Sequence, residues 1–150
     1  MEKELTAESN SIALAGYLRR AWELPNQDLN TYSPLTLAYI GDSIYDLVIR
    51  TLIVESGNAP ANKLHKSATK MVQATAQAEL YHLIQDQLTE EELAIYKRGR
   101  NAKSFTSAKN TGIVEYRTAT GLEALIGYLY LTDRTDRLLE LIKPVVNITK

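Results

Sequence analysis

Three observations in the sequence predict an all-α fold. No segment sustains the apolar–polar alternation of a half-buried strand. Apolar residues instead recur at three- and four-residue intervals in one stretch after another. Between those stretches fall Pro, Gly, Ser and Thr in the positions that start and stop helices, with no internal repeat and no low-complexity tract. At 150 residues the chain fits one domain large enough to bury a real core.

The elements follow in order. After the polar start MEKELTAESN, the run SIALAGYLRRAWEL (11–24) has helical character, and Pro25 opens the linker PNQDLN. Ser33-Pro34 supplies an N-cap and a proline at the first helical position. The helix it opens is predicted over 34–54, with a stop near Gly57. Pro60 precedes ANKLHKSATKMV, and a break near Gln73 precedes ATAQAELYHLIQDQ. Thr89-Glu90-Glu91-Glu92 is a capping box for a helix ending at Gly99. NAKSFTSAKNTG reads as a loop, and helices over 114–132 and 134–147 close the chain.

Composition excludes several chemistries. With no cysteine there is no disulfide, thiolate metal site or cysteine nucleophile. The two histidines, His65 and His82, are too few for a histidine-rich zinc centre. No apolar run reaches the length of a membrane span and the start is not a signal peptide, so the expectation is a soluble cytoplasmic protein with no membrane partner. The formal net charge is -1, but it is unevenly spread. Lys97, Arg98, Arg100, Lys103, Lys109 and Arg117 face the single acid Glu115 over 97–117, and Lys63, Lys66 and Lys70 stand without an acid over 62–70. Cations concentrated in an otherwise acidic chain suit an anion-binding face, or simply the solvated faces of charged helices.

The acids pose a sharper question. TLAYIGDSIYDLVIR (36–50) carries Gly41-Asp42 inside an amphipathic run, where glycine costs about 1 kcal/mol against alanine and a carboxylate near an apolar face needs a partner. Asp46 lies one turn on. GLEALIGYLYL places Glu123 in a similar apolar, glycine-containing setting, 81 residues later. If the two helices pack together, Asp42 and Glu123 could share a hard cation such as Mg²⁺. A pair satisfied by Arg or Lys, or acids at a helix edge facing water, are the alternatives that spacing leaves open.

LAYIGDSIYDLVIR resembles the signature helix of the ribonuclease III family, and GLEALIGYLYL resembles its second acidic motif. The likeness is closer to the short bacterial subfamily called Mini-ribonuclease III, through LTLAYIGDS, LHK at 64–66, QAE at 77–79, KRGRNAK at 97–103, AKNT at 108–111, YR at 116–117 and EALIGYLYL at 123–131. It spans 33–143, which divides the chain into an N-terminal extension, partly helical, over 1–32 and a ribonuclease III-like catalytic domain over 33–150. The family's catalytic aspartate falls on Asp42 and its late metal-binding glutamate on Glu123. Its two earlier signature glutamates fall on Leu35 and Ala38 and its later aspartate on Thr120, a reduced set of acids expected of the short subfamily. Asp46 matches no required acid and ranks as secondary.

The resemblance implies a Mg²⁺-dependent endoribonuclease that cuts double-stranded RNA as a homodimer, leaving 5′-phosphate and 3′-hydroxyl ends. Its implied task is maturation of the large-subunit (23S) ribosomal RNA precursor, with a ribosomal protein that presents the substrate as a candidate partner. No separate RNA-binding domain is expected, so phosphate contacts fall to Arg98, Arg100, Lys103 and Lys109, then His65 and Lys66, with Asn101 as a neutral contact to the A-form groove. Lys63, Lys70 and Arg117 read as solvated cations, and His82 as structural. Tyr39, Tyr45, Tyr96, Tyr116, Tyr128 and Tyr130 read as core or interface packing, and Trp22 is a candidate to pack back onto the domain. Two other classes compete: a catalytically inactive ribonuclease III-fold protein that binds RNA or the ribosome, and a helical interaction module, which leaves KRGRNAKS and the two embedded acids unexplained.

Overall fold

Ser33 begins the first long helix as its sequence demands: its Oγ accepts from the Leu35 amide at 3.1 Å while Pro34 takes the first helical position. The computed structural model describes residues 14–102 and 112–148. Among them are seven helices and no strand: α1 Leu14–Ala21, α2 Pro34–Glu55, α3 Ala61–Val72, α4 Ala74–Ile84, α5 Glu90–Asn101, α6 Ile113–Leu131 and α7 Thr135–Ile142. Short 3₁₀ segments at Leu29–Thr31, Gln85–Gln87 and Lys143–Asn147 complete them. The loop predicted over 101–112 lies largely outside the described residues.

Most ends match the local chemistry. α2 stops at Glu55, and Gly57, at a φ of +143° that favours glycine, turns the chain away. The break between α3 and α4 is a single extended residue, Gln73. Thr89 and Glu92 form the reciprocal capping box of α5. Three ends differ. α5 runs past Gly99 to Asn101, because Gly99 serves a helix crossing and does not cap. α7 ends at Ile142, since Pro144 has no amide to continue it. α1 ends at Ala21, where Glu23 turns back with φ 49°, and Trp22 is 69% exposed rather than packed on the domain. α1 is instead fastened through buried Ala15, the Arg19 Nη1 bond to the Leu131 carbonyl (3.2 Å) and an ion pair between Arg19 and Asp133.

α6 is the central element, packed against α2, α4, α5 and α7, and every residue from Ala124 to Tyr130 is buried. Two glycine crossings seat it. A Cβ on Gly41 would lie 1.8 Å from the Glu123 carbonyl oxygen, and one on Gly127 would lie 2.0 Å from that of Leu37, so α2 and α6 touch backbone to backbone. On the other side Gly99 of α5 meets Gly121 and Ala124. The apolar spread of α2 predicts burial on several sides, one of them against a second subunit; within the protomer the helix buried most fully is α6. α2 buries Leu37, Ala38, Gly41, Tyr45 and Ile49 while Tyr39, Leu47 and Val54 stand exposed. Tyr45, Tyr96, Tyr128 and Tyr130 are in the core, and Tyr96 stacks on Tyr81 at 3.8 Å between ring centroids.

One buried ion pair ties α5 to α7. Glu92 accepts from Arg137 Nε and Nη2 at 2.8 Å each, and Arg137 Nη2 also reaches the Gln87 carbonyl at 2.7 Å. The Arg137 guanidinium beside it holds the Glu92 carboxyl below the ordinary range. Arg137→Ala would strand that carboxylate, 3% exposed, with an expected cost of about 3 kcal/mol. Thermal melts should show Tm lower by roughly 10 °C; an unchanged Tm would remove the pair from the list of structural ties.

Candidate active site

The α2–α6 crossing brings Asp42 and Glu123 together. Gly41 lies against the Glu123 carbonyl, so the next residue of α2 is set beside the Glu123 side chain. Asp42 stands exposed and Glu123 half-buried, within hydrogen-bonding reach of each other. Burial and then the Asp42 carboxyl push the Glu123 carboxyl up to about 8, while a hydrogen bond from Gln77 opposes them. No basic group of the described residues is among these influences, so no described Arg or Lys satisfies the pair. Asp46 is elsewhere, paired with Arg50 at 2.7 Å on the exposed side of α2.

Gln77, which opens the QAE landmark, joins the site although nothing in its sequence setting singles it out. It is 2% exposed, and its Nε2 donates to Glu123 Oε2 at 3.3 Å and to the Val72 carbonyl at 3.0 Å. Nearby, the buried Tyr45 hydroxyl donates to the Met71 carbonyl at 3.0 Å. Burial, then the Glu123 charge, pushes its phenol up. Thr120 turns its hydroxyl back to the Tyr116 carbonyl, 3.0 Å away. Among the described residues no three His, Cys, Asp or Glu side chains gather. The chain therefore offers two carboxylates and an amide. Closely spaced oxygen donors with no described Arg or Lys between them fit a hard, partly hydrated ion such as Mg²⁺.

The basic candidates divide into two groups. Arg98, Arg100 and Asn101 sit at the C-terminal end of α5. Arg98 Nη2 donates to the Tyr32 carbonyl at 3.0 Å, fastening α5 to the segment entering α2. Arg100 lies 5.7 Å from the centroid of the Tyr96 ring and donates from Nε to Asn101 Oδ1 at 3.2 Å. His65 and Lys66 are exposed on α3, which packs chiefly on α2 and α4, and His65 shares a cleft with Arg50 and Leu64. Lys103 and Lys109 lie outside the described residues. Lys63, Lys70 and Arg117 are exposed, and so is His82, whose ring meets the edge of Tyr81.

An all-helical domain with two carboxylates at a glycine-mediated helix crossing, and arginines at the C-terminal end of α5, has the makings of a phosphodiester-cleaving nuclease. The family model of the ribonuclease III domain matches residues 35–134. A Mini-ribonuclease 3 of Clostridium tetani is 50% identical over 127 residues, covering 84% of each chain. One from a Thermoanaerobacter species is 46% identical over 136 residues, covering 91% of this chain and 96% of its own. A crystal structure of a Fusobacterium nucleatum protein matches with a TM-score of 0.72 and 34% identity, over 81% of this chain and 98% of that one. The chain belongs to the ribonuclease III family, within its Mini-ribonuclease 3 branch, and so to the endoribonucleases. No described helix is long and apolar enough to cross a membrane.

Proposed function

We infer that the protein is a Mg²⁺-dependent endoribonuclease that cuts double-stranded RNA and matures the large-subunit ribosomal RNA precursor. The observation that carries this reading is the Asp42–Glu123 pair, two carboxylates held together by a backbone crossing with no cation beside them among the described residues. Asp42 and Glu123 would hold the metal, leaving its remaining positions to water and phosphate oxygens. When bound there, Mg²⁺ supplies Lewis acidity, acidifying water and offsetting charge that gathers at phosphorus. In-line attack leaves 5′-phosphate and 3′-hydroxyl ends. Duplex phosphates fall to Arg98, Arg100, Lys103 and Lys109, then His65 and Lys66 on α3, with Asn101 as a neutral contact. A ribosomal protein that presents the precursor is the expected auxiliary partner, and the cytoplasm the expected place.

The exposed apolar residues Tyr39, Leu47 and Val54, spaced eight and seven along α2, support pairing of two copies across this helix. A homodimer would give each duplex two sites, one per strand, and sedimentation at micromolar concentration tests it. The whole reading is tested by incubating duplex RNA with the protein, with and without Mg²⁺, and mapping the ends. Metal-independent cutting would overturn it, and binding without cutting would favour the inactive RNA-binding alternative.

Two expected results arise here. Replacing Arg98, Arg100 and Lys103 together by alanine should weaken duplex binding and flatten its salt dependence by about three phosphate contacts. The Arg98 bond to Tyr32 is exposed, so a small fall in Tm is expected alongside. Unchanged affinity would remove this cluster from the interface. The second concerns pH. The metal-free folded chain keeps a proton on Glu123 up to about 8, whereas the unfolded chain releases it near 4.5. Between those values the folded state binds more protons, so its stability falls as pH rises through that window. Mg²⁺ must displace that proton, so its affinity should rise with pH and level off above about 8. Calorimetry at pH 7 in buffers of different ionisation enthalpy should show proton release; binding without release would exclude Glu123 as a ligand.

A further inference from the structure

Gln77 is one of the most buried polar side chains described, and it joins three elements. Gln73 is extended, so the last carbonyls of α3 lack the amides of a continuing turn. Two side chains meet that deficit. The Tyr45 hydroxyl, from α2, takes the Met71 carbonyl, and Gln77 Nε2, from α4, takes that of Val72. The same Nε2 reaches Glu123 Oε2 on α6. Both neighbours are oxygens, so turning the amide over would set oxygen against oxygen, and this orientation is the one the network selects. Its Oε1 is then buried with no partner among the described residues.

The geometry points to Gln77 as a positioning residue of the carboxylate site. Its Nε2 fixes the Glu123 carboxylate toward Asp42 and ties it to the carbonyl end of α3, the helix that carries His65 and Lys66. This rests on the reading of Asp42 and Glu123 as the metal-holding pair. Glu123 is otherwise a flexible side chain on a rigid helix, free to choose among rotamers. A donor locked by its own bond to the backbone removes that freedom before the ion arrives. Partners that orient a ligand in this way alter metal affinity about 10–100-fold when removed.

The test is Mg²⁺ titration calorimetry on the full chain without RNA, for the wild type, Gln77→Met and Asp42→Asn, beside the Mg²⁺ midpoint for duplex cleavage. Gln77→Met should weaken Mg²⁺ binding about tenfold or more and raise the cleavage midpoint in proportion, with the loss of turnover shrinking as Mg²⁺ is raised. Wild-type Mg²⁺ affinity in Gln77→Met but not in Asp42→Asn overturns the role of Gln77 alone. Wild-type affinity in both overturns the metal-site reading on which it stands. A loss of turnover that no Mg²⁺ concentration relieves, with an unchanged midpoint, also overturns it. Should Gln77→Met fail to fold, Gln77→Glu keeps the shape and sets a third carboxylate against Glu123. Mg²⁺ should then raise its Tm by more than it raises that of the wild type, and an equal rise overturns the proposal.

Discussion

Gly41→Leu should abolish RNA cleavage and leave a domain that no longer melts cooperatively. Even the first carbon of the new side chain would lie 1.8 Å from the Glu123 carbonyl and 2.8 Å from the Gly127 amide nitrogen. Those are backbone atoms of the most buried helix, with nowhere to move. Overpacking of a core costs about 1–3 kcal/mol and occasionally more, and this clash belongs beyond that range, since α2 must lift from α6 along its length. The roughly 1 kcal/mol that glycine costs in a helix is thereby explained. The penalty is the condition for a crossing that sets Asp42 beside Glu123. The effect arises inside one protomer and would precede any effect on dimerisation. Circular dichroism melts and a duplex cleavage assay check it, and wild-type Tm and turnover would sink the account of the crossing.

Asp42→Asn and Glu123→Gln should abolish cleavage by the opposite route, with the fold intact. An amide is a far poorer Mg²⁺ ligand than a carboxylate. Neither change should cost stability, because each relieves the crowding of two carboxyls that pushes Glu123 up to about 8. At neutral pH Glu123→Gln replaces a proton-bearing carboxyl by a neutral group of the same shape, so its metal-free Tm should equal or exceed the wild type's. Asp46→Asn loses only a surface pair with Arg50, worth about 1 kcal/mol or less, and should cut RNA normally. Near-normal turnover by Asp42→Asn or Glu123→Gln at saturating Mg²⁺ would end the assignment, and equal damage from Asp46→Asn would reorder the acids.

What the sequence made legible was local. Ser33-Pro34, Thr89 with Glu92, and the extended Gln73 are chemistry of a few adjacent residues, and each sits where its neighbours predict. Asp42 and Glu123 could be singled out because a charge among aliphatic residues is conspicuous. Gln77 could not, because a neutral amide among alanines carries no charge and breaks no period. Its importance lies in two acceptors, five and 46 residues away. The glycines announced close approach without naming the partner. Gly99 resembles a helix stop until Gly121 is seen across from it. Arg98 shows the same limit from the other side, since the Tyr32 carbonyl it holds is 66 residues back. The apolar girth of α2 predicts burial without saying whether a face turns to α6 or to a second copy of the chain, since that depends on which helix occupies the centre.

That α6 occupies the centre has a kinetic consequence. Amides in a helix buried from Ala124 to Tyr130 exchange with solvent hydrogen only when the whole domain opens, whereas those of outer helices exchange through smaller, more frequent openings. Glu123 therefore rides on the slowest-opening part of the molecule. His65 and Lys66 sit on exposed turns of α3, a helix whose carbonyl end is tied to the core by the Tyr45 and Gln77 bonds. Fluctuation of the outer turns of α3 would reach Glu123 only through those two bonds, so the alignment of the two carboxyls outlasts most local openings.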